Sequence, residues 1–456
     1  MAPESGVVEP RGATCVAGGV LVVRILALAV NLAGAVALAR ALGPDLRGAQ
    51  ALFTTGAFVA ALLLTAGANT GGYLLVTRRG VEPAVIGVTA LAQGLAAGLA
   101  ALGVAMLLGP SPDPLAGLVP AWPVPLALAV AALVVNSHHI MLALAQGRGQ
   151  LGAALSVIPY VTAAVAYIAA AAAGRLVLGT AVWSFAVGSV MACLVAIWPR
   201  TRLRVVAPAW PSPSTALAMM RVGVGGAMTD VVTLLHQRVD VVLLGALAPL
   251  ASTGAYVVAY QTAEPLWALL SAGAVAALTT VPAGDGGARQ PSAATAALIR
   301  QTALLAGLLV LAGALVLPWI VPLVYGRAYQ AATLPLLLLL PGIAAFSVGR
   351  VAGAHLVRNA LLGRNARLAA MAFAANVAAN LALIPPFGAV GAALASLGSY
   401  SLYAVLALVA FSRTSGTRWP ELVPRRADMT AAFELVVRPL RRAHQPTDRL
   451  DGTAGH

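Results

Sequence analysis

Of the fourteen acidic residues in this chain only Asp230, Asp240 and Glu264 fall inside long apolar stretches, and of the basic ones only Arg24, Arg221, Arg238 and Arg350 do. Ionisable groups held away from water are costly, so each marks a charged site or a pairing partner. Bond-breaking chemistry is not indicated: there is no Gly-rich phosphate loop, no Ser-His-Asp order and no metal-ligand spacing. Cys15 and Cys193 lie at or inside apolar stretches without paired spacing, so neither a disulfide nor a metal site is expected. The chemistry open to these groups is the binding of charged cargo, ion pairing or proton exchange. The chain is not expected to be an enzyme or to need a cofactor.

Arg24 and Asn31 are seven residues apart and share one helical face, two turns from each other. Either Arg24 pairs with Asp230 from the second half of the chain, or it holds a phosphate on the cargo. Tyr256, Tyr260, Glu264, Trp267 and Ser271 recur every three or four residues, an aromatic and polar stripe that suits sugar rings or ordinary helix packing. Thr54, Phe58, Thr65 and Asn69 form a similar stripe, as do Asn376 with Asn380 and Ser396 with Tyr400 and Tyr403. Polar stripes of this kind also serve as glue between helices. Arg238 and Asp240 read as a pair that fixes packing, and His236 with Asp240 one turn on as a protonatable pair that can couple to an ion. His138 and His139 point about 100° apart, poor geometry for one metal, and are expected to be neutral packed imidazoles.

The elements that must carry these groups are membrane helices. With 60% apolar residues, 9% charged residues and a mean hydropathy of +0.90, the chain has too much apolar surface for a water-soluble fold. About 20 apolar residues cross a bilayer, and twelve such spans begin near Val16, Ala51, Ala84, Val124, Leu151, Leu176, Ala218, Ala255, Thr295, Ala331, Leu368 and Ala389. They repeat. A shift of 206 carries Gly48–Ala68 onto Gly254–Ala274, and a shift of 216 carries Gly147–Ala154 onto Gly363–Ala370. The expected fold is an all-α polytopic membrane protein, two parallel six-helix repeats forming N- and C-lobes around a central cavity.

The expected organisation is an N-terminus (1–14), an N-lobe (15–198), a linker (199–214) with four prolines, a C-lobe (215–411) and an Arg-rich tail (412–456) that is disordered or lies on an anionic leaflet. The first apolar run, from Val16 to Ala39, is too long for a signal h-region and is expected to stay in the mature protein. Basic residues near helix ends stay on the cytoplasmic side. That rule puts both termini in the cytoplasm, with Arg40, Arg47, Arg175 and Arg327 in outer loops and Arg24 as the only buried charge of the first half. The net charge of +14 comes from arginines in short loops and the tail, not from a soluble basic face, so no nucleic acid is expected.

Four segments resemble a known family. Ala39-Arg-Ala-Leu-Gly-Pro-Asp-Leu-Arg-Gly48 is similar to the turn between helices 1 and 2 of polysaccharide flippases in the multidrug/oligosaccharidyl-lipid/polysaccharide exporter superfamily. Arg238–Gly245 followed by Gly254-Ala-Tyr256 is similar to their helix 7–8 signature, Tyr325–Ala332 to their helix 9–10 turn, and Leu383–Ala393 to their helix 11–12 turn. The resemblance, over roughly residues 15 to 411, is to the Wzx type. It implies alternating access that moves polyprenyl-pyrophosphate-linked oligosaccharide from the inner to the outer leaflet of the cell membrane. It implies Arg24, by its position in the first helix, as a pyrophosphate ligand. It also implies membrane lipids, a glycan polymerase and glycosyltransferases as partners. The rivals are a multidrug or cation antiporter of the same superfamily, which Asp230 and Glu264 favour, and a lipid II flippase, which usually carries fourteen helices. A glycan polymerase would need catalytic acids or a sizeable outer loop, and a major-facilitator transporter a loop motif that Thr77–Glu82 lacks.

Overall fold

The computed structural model describes residues 11–107, 122–198, 213–279, 289–425 and 428, and for 11–25, 225–234, 272–279 and 289–291 it describes the backbone alone. The described chain is helical, with no strand: α1 (Arg11–Thr65), α2 (Ala68–Arg79), α3 (Pro83–Leu107), α4 (Pro123–Ala145), α5 (Gly149–Ala172), α6 (Leu178–Ile197), α7 (Pro213–Leu247), α8 (Leu250–Thr279), α9 (Arg289–Tyr325), α10 (Thr333–Arg358) and α11 (Leu362–Ser415).

Two of these rods fold back on themselves. In α1 the break is Gly43 (φ 71°, ψ 174°) followed by Pro44. Glycine reaches that backbone without a Cβ penalty, and proline restarts a helix whose first N–H would be unpaired anyway. Both arms then meet α5, for Gly34 lies against Ala164 while Phe58 stacks on Tyr160. In α11 the break is Gly388 (φ 52°, ψ −126°) after Pro385 and Pro386, and Asn376 before it reaches Ser399 beyond it at 3.0 Å. Eight segments among the described residues are long and apolar enough to cross a membrane. Counting the two folded rods twice and adding α7 and α8 gives twelve crossings. The chain is a multi-pass membrane protein.

The second crossing is itself interrupted at Ala66 and Gly67, between α1 and α2. Gln93 of α3 donates to the carbonyls of Leu64 and Thr65 at 3.0 and 3.1 Å, satisfying groups the break leaves open.

Within each lobe, small residues let helices approach closely, as in other membrane bundles. Gly94 and Gly98 seat α3 on Ala131 and Ala127 of α4, and Gly342 and Gly349 seat α10 on Leu397 and Ala404. Aromatic side chains fill what remains, with Tyr256, Tyr400 and Phe411 buried in the C-lobe core.

Between the lobes the contacts obey a two-fold rule. Gly48 packs on the backbone of Leu250 and Gly254, and Gly254 packs on the backbone of Pro44 and Gly48. Pro44 and Leu250, like Gly48 and Gly254, differ by the repeat offset of 206. Reciprocal contact of equivalent residues is what an axis relating two copies requires. This seam lies by the breaks at Gly43 and Gly388, at the end of the bundle away from Arg11 and Ser415, the distal end. All four segments that carry the family resemblance gather there. Arg40 donates to the carbonyls of Val324 and Leu323 at 2.7 and 2.8 Å, the Tyr329 hydroxyl donates to the Ala39 carbonyl at 3.1 Å, and Gly388 lies against Ser252. A second seam joins the stretch around α2 to α7, where Gly71 meets Met219 and Gly223 meets Gly67.

The described beginning of the tail, 416–425 with Asp428, is docked on the bundle. After α11 a short 3-10 turn, Trp419–Leu422, buries Leu422. Arg300 of α9 then holds the Glu421 carbonyl at 2.9 Å and both carboxylate oxygens of Asp428, at 2.8 and 3.3 Å. Arg300 holds the Asp428 carboxyl below its usual value of 3.8. A carboxylate depressed by docking contributes its full stabilisation above 3.8 and loses it as the pH falls through the lowered value. Asp428→Asn is therefore expected to loosen residues 416–428 at neutral pH, read as faster amide hydrogen exchange there. In the wild type the same loosening should appear only below about pH 4. The expected linker, apart from Pro213 and Ser214 in α7, and the rest of the tail lie outside the described residues.

Candidate functional site

A cavity of about 330 Å³ lies between the lobes, walled by both arms of α1, by α5 and α6 of the N-lobe, and by α7 and α8 of the C-lobe. Its distal end is closed by Arg47. The sequence places this arginine in an outer loop, yet it is only 2% exposed. The physical reason is that no loop exists: a helix restarts at Pro44, and three residues on the chain already faces the interior. Arg47 donates to Gln50, one turn away, and to Gln261 of the opposite lobe at 2.7 Å. Its Nε finds no acceptor. Among the described residues no carboxylate pairs with it. A buried cation served by two neutral amides is short of charge compensation, and the desolvation cost of such an ion is several kcal/mol, on the order of that for half a buried ion pair.

The second cation of the cavity is Arg238, whose guanidinium lies 4.8 Å from the centre of the Tyr260 ring. Cation–π contact of this kind stabilises a charge without neutralising it. Glu264 faces the cavity from α8, exposed within it, and Asn31 faces it from α1. The described lining thus carries two guanidiniums and one carboxylate, with Gln50, Gln261 and Asn31 as neutral hydrogen-bonding groups.

Several pairings expected from the sequence do not form. Arg238 and Asp240 are two positions apart, about 200° around a helix, so they face opposite sides. Arg238 turns to the cavity, while Asp240 points into the C-lobe, where it accepts from the Tyr256 hydroxyl, from Ser396 at 3.2 Å and from its neighbour's amide at 2.8 Å. His236 does not bond to Asp240 either: its Nε2 is 3.4 Å from the Ser399 hydroxyl, and its ring is surrounded by Phe346, Phe373 and Tyr400. Asp240 and His236 nevertheless belong to one buried network, because Ser399 also bonds the Ser396 carbonyl and Asn376, and Asn376 bonds Asn380.

The stripe on α8 is divided between two environments. Tyr256 is fully buried beside Asp240, Trp267 lies against Phe346 and Tyr400, and only Glu264, with Tyr260 beneath Arg238, turns toward the cavity. Asn69 is not in the lining; its carbonyl oxygen accepts from the Thr70 amide at 2.8 Å. The side chains of Arg24 and Asp230 lie outside the described residues. Sequence reasoning missed Arg47, Gln50, Gln261, Tyr160 and Tyr167. The available signal was Arg47 and Gln50 at helical spacing just after a proline that starts a helix.

No protein-family model matches the chain, and no curated protein matches it by sequence. Its shape does match solved structures. A lipid II flippase, MurJ, in an inward closed conformation superposes with a TM-score of 0.68 at 11% identity, over 95% of this chain and 93% of that one. A multidrug-resistance MATE transporter of the MOP superfamily, inward-facing, gives 0.66 at 15% identity over 85% and 94%. The fold is similar to that of these transporters. A MOP-superfamily transporter from Pyrococcus furiosus, described as having a binding pocket of reversed polarity that suggests a different function, gives 0.55 at 14% identity over 93% and 95%. The 206-residue offset read from the sequence relates the two lobes, since the equivalent residues Gly48 and Gly254 make reciprocal contacts, and the cavity holding Arg47 and Arg238 lies between them.

Proposed function

We propose that this protein is a flippase that carries polyprenyl-pyrophosphate-linked oligosaccharide from the inner to the outer leaflet of the cell membrane by alternating access, for assembly of a surface polysaccharide. The observation that carries the reading is the buried, uncompensated Arg47 closing an inter-lobe cavity whose other cation, Arg238, forms no ion pair among the described residues and feels only the charges of Glu264 and Asp240 from a distance. A cargo bearing a pyrophosphate supplies the missing negative charge. A cationic drug would meet two like charges against one carboxylate, Glu264.

The physics of the cargo supports the same assignment. Each hydroxyl moved into hydrocarbon without a partner costs roughly 2–7 kcal/mol, so an oligosaccharide does not cross unaided. A polar cavity replaces the lost hydration, the Arg47 guanidinium takes the pyrophosphate in forked hydrogen bonds, and the polyprenyl chain stays in lipid. Arg24 and Asn31, on the first crossing, are assigned to the same path. Rocking of the lobes about the Gly48–Gly254 seam then exchanges the open side. Asp240 with His236 is proposed as the group whose protonation couples to that motion, and Asp230 as a partner for Arg24 in the empty state. Both termini are proposed to be cytoplasmic, with glycosyltransferases supplying the cargo and a glycan polymerase consuming it.

A lipid II flippase is the second reading, favoured by the likeness to MurJ. The twelve crossings and the four polysaccharide-flippase-like segments favour the first. Depleting the protein in its own cell is the test: intact lipid-linked oligosaccharide should accumulate in the inner leaflet and surface polymer should be lost. Accumulation of a peptidoglycan precursor instead would move the assignment to lipid II. Unchanged lipid-linked pools with new sensitivity to cationic drugs would overturn it.

A further inference from the structure

The cavity wall opposite the C-lobe is aromatic. Phe58 and Tyr160 stack with their rings 17° from parallel and 5.8 Å apart, and Phe185 meets Phe58 edge-on at 5.6 Å. Phe185 is in turn braced edge-on by Phe53. The assembly is braced because three helical segments supply it, the second arm of α1, α5 and α6. Its exposed member is Tyr160, 42% accessible although it stands in the middle of α5 and lines the cavity. Large aromatic side chains with one face bare inside a cavity are contact surfaces for a planar or ring-shaped apolar face.

Three polar groups line that cavity, the Tyr160 hydroxyl, the Glu264 carboxylate and the Asn31 amide, with the Arg238 guanidinium near enough to act on both Tyr160 and Glu264. They come from three different helices and from both lobes. A pyrophosphate is not what they fit, since a carboxylate repels it. A sugar ring is, because its C–H face stacks on an aromatic plane while its rim of hydroxyls donates to a carboxylate and exchanges hydrogen bonds with an amide and a phenol.

Phe58 lies eleven residues beyond Arg47 on the same helical arm, about 16 Å along it. Arg47 therefore stands at one end of the cavity and the aromatic wall at the other. Resting on the flippase reading, we infer that the Phe58–Tyr160 wall with Glu264 and Asn31 is a sugar-binding subsite, distinct from the cationic end at Arg47, and that it sets preference for glycan-bearing over bare polyprenyl diphosphate. The subsite is not on the Tyr256–Trp267 stripe, most of which is turned into the C-lobe core. Because Tyr160 is on the N-lobe and Glu264 on the C-lobe, a ring held by both is gripped only while the lobes are in register.

The test uses the full-length protein in nanodiscs and two probes, polyprenyl diphosphate and polyprenyl diphosphate carrying a hexose. The wild type should bind the hexose-bearing lipid about tenfold or more tightly than the bare one, the scale expected for a hydrogen bond to a charged group plus ring contact. Tyr160→Leu keeps apolar bulk, and Glu264→Gln keeps shape. Each should cut that preference to about threefold or less while leaving affinity for the bare lipid within about twofold. Unbound variants must keep the wild-type melting temperature, and Tyr160→Phe, which keeps the stack, should retain part of the preference. A preference unchanged in both Tyr160→Leu and Glu264→Gln overturns the subsite while leaving the flippase reading intact. Failure of the wild type to bind either lipid overturns both.

Discussion

Replacing Arg47 by methionine is expected to abolish export of the lipid-linked glycan while leaving the purified protein at least as stable as the wild type. The two effects point in opposite directions because the same fact underlies both. Arg47 is buried beside Gln50 and Gln261 with no carboxylate and with an unpartnered Nε. Exchanging an uncompensated buried ion for an apolar side chain of similar size removes a desolvation cost, and such exchanges are commonly neutral or stabilising. Transport loses the forked, charge-assisted contact with phosphate. Two such hydrogen bonds at about 1.5–3 kcal/mol each correspond to a fall in cargo affinity of roughly two to four orders of magnitude. Arg47→Lys keeps the charge without the fork and should lie between the two. Thermal unfolding of the detergent-solubilised protein and an export assay in cells check the pair of outcomes. A variant that loses stability and transport together would make Arg47 a structural residue.

Gly254→Val is expected to stop transport by holding the distal seam open. The Cβ of any larger residue there would overlap the Pro44 carbonyl oxygen, and the reciprocal Cβ at Gly48 would overlap that of Leu250. Both obstacles are backbone, which no rotamer change relieves. Overpacking of this kind costs about 1–3 kcal/mol, and at the upper end that shifts a two-state balance by roughly 150-fold. A cysteine placed at Leu323, where the lobes also touch, should react with an aqueous thiol reagent far faster in Gly254→Val than in the parent. Arg40→Ala should give a smaller increase in distal reactivity at a cysteine placed at Leu323, because it removes two hydrogen bonds to helix-end carbonyls but creates no clash. Equal reactivity in all three proteins would mean that the seam does not move.

Much of the architecture was legible before any coordinates, for reasons that are physical. A bilayer demands about 20 apolar residues per crossing, so twelve crossings could be counted, and duplication left the 206-residue offset that the structure turns into reciprocal contact between Gly48 and Gly254. The site was less legible. Arg47 stands three residues after Gly43-Pro44 and two after Asp45, a polar setting that reads as a loop, whereas Pro44 starts a helix and carries Arg47 straight into the interior. Arg238 and Asp240 look like partners because they are close in sequence, but helical geometry sends one to the cavity and the other to Tyr256. The α8 stripe was visible as a period, yet a helix at the boundary between a lobe core and an inter-lobe space has two kinds of neighbour, and periodicity cannot tell which residues meet which. Tyr160 carried no signal at all, since one tyrosine in an alanine-rich helix becomes informative only when Phe58 is found stacked on it.

The most direct measurement is a leaflet-exchange assay in proteoliposomes containing only this protein, with polyprenyl-diphosphate oligosaccharide labelled on its sugar and a membrane-impermeant reagent reporting the outer fraction. The account predicts that the accessible fraction rises with time beyond the half set by random insertion, that Arg47→Met reduces the rate to that of protein-free vesicles, and that a cationic dye in the same vesicles does not move. Dye transport with the lipid-linked glycan left on its original leaflet would contradict it.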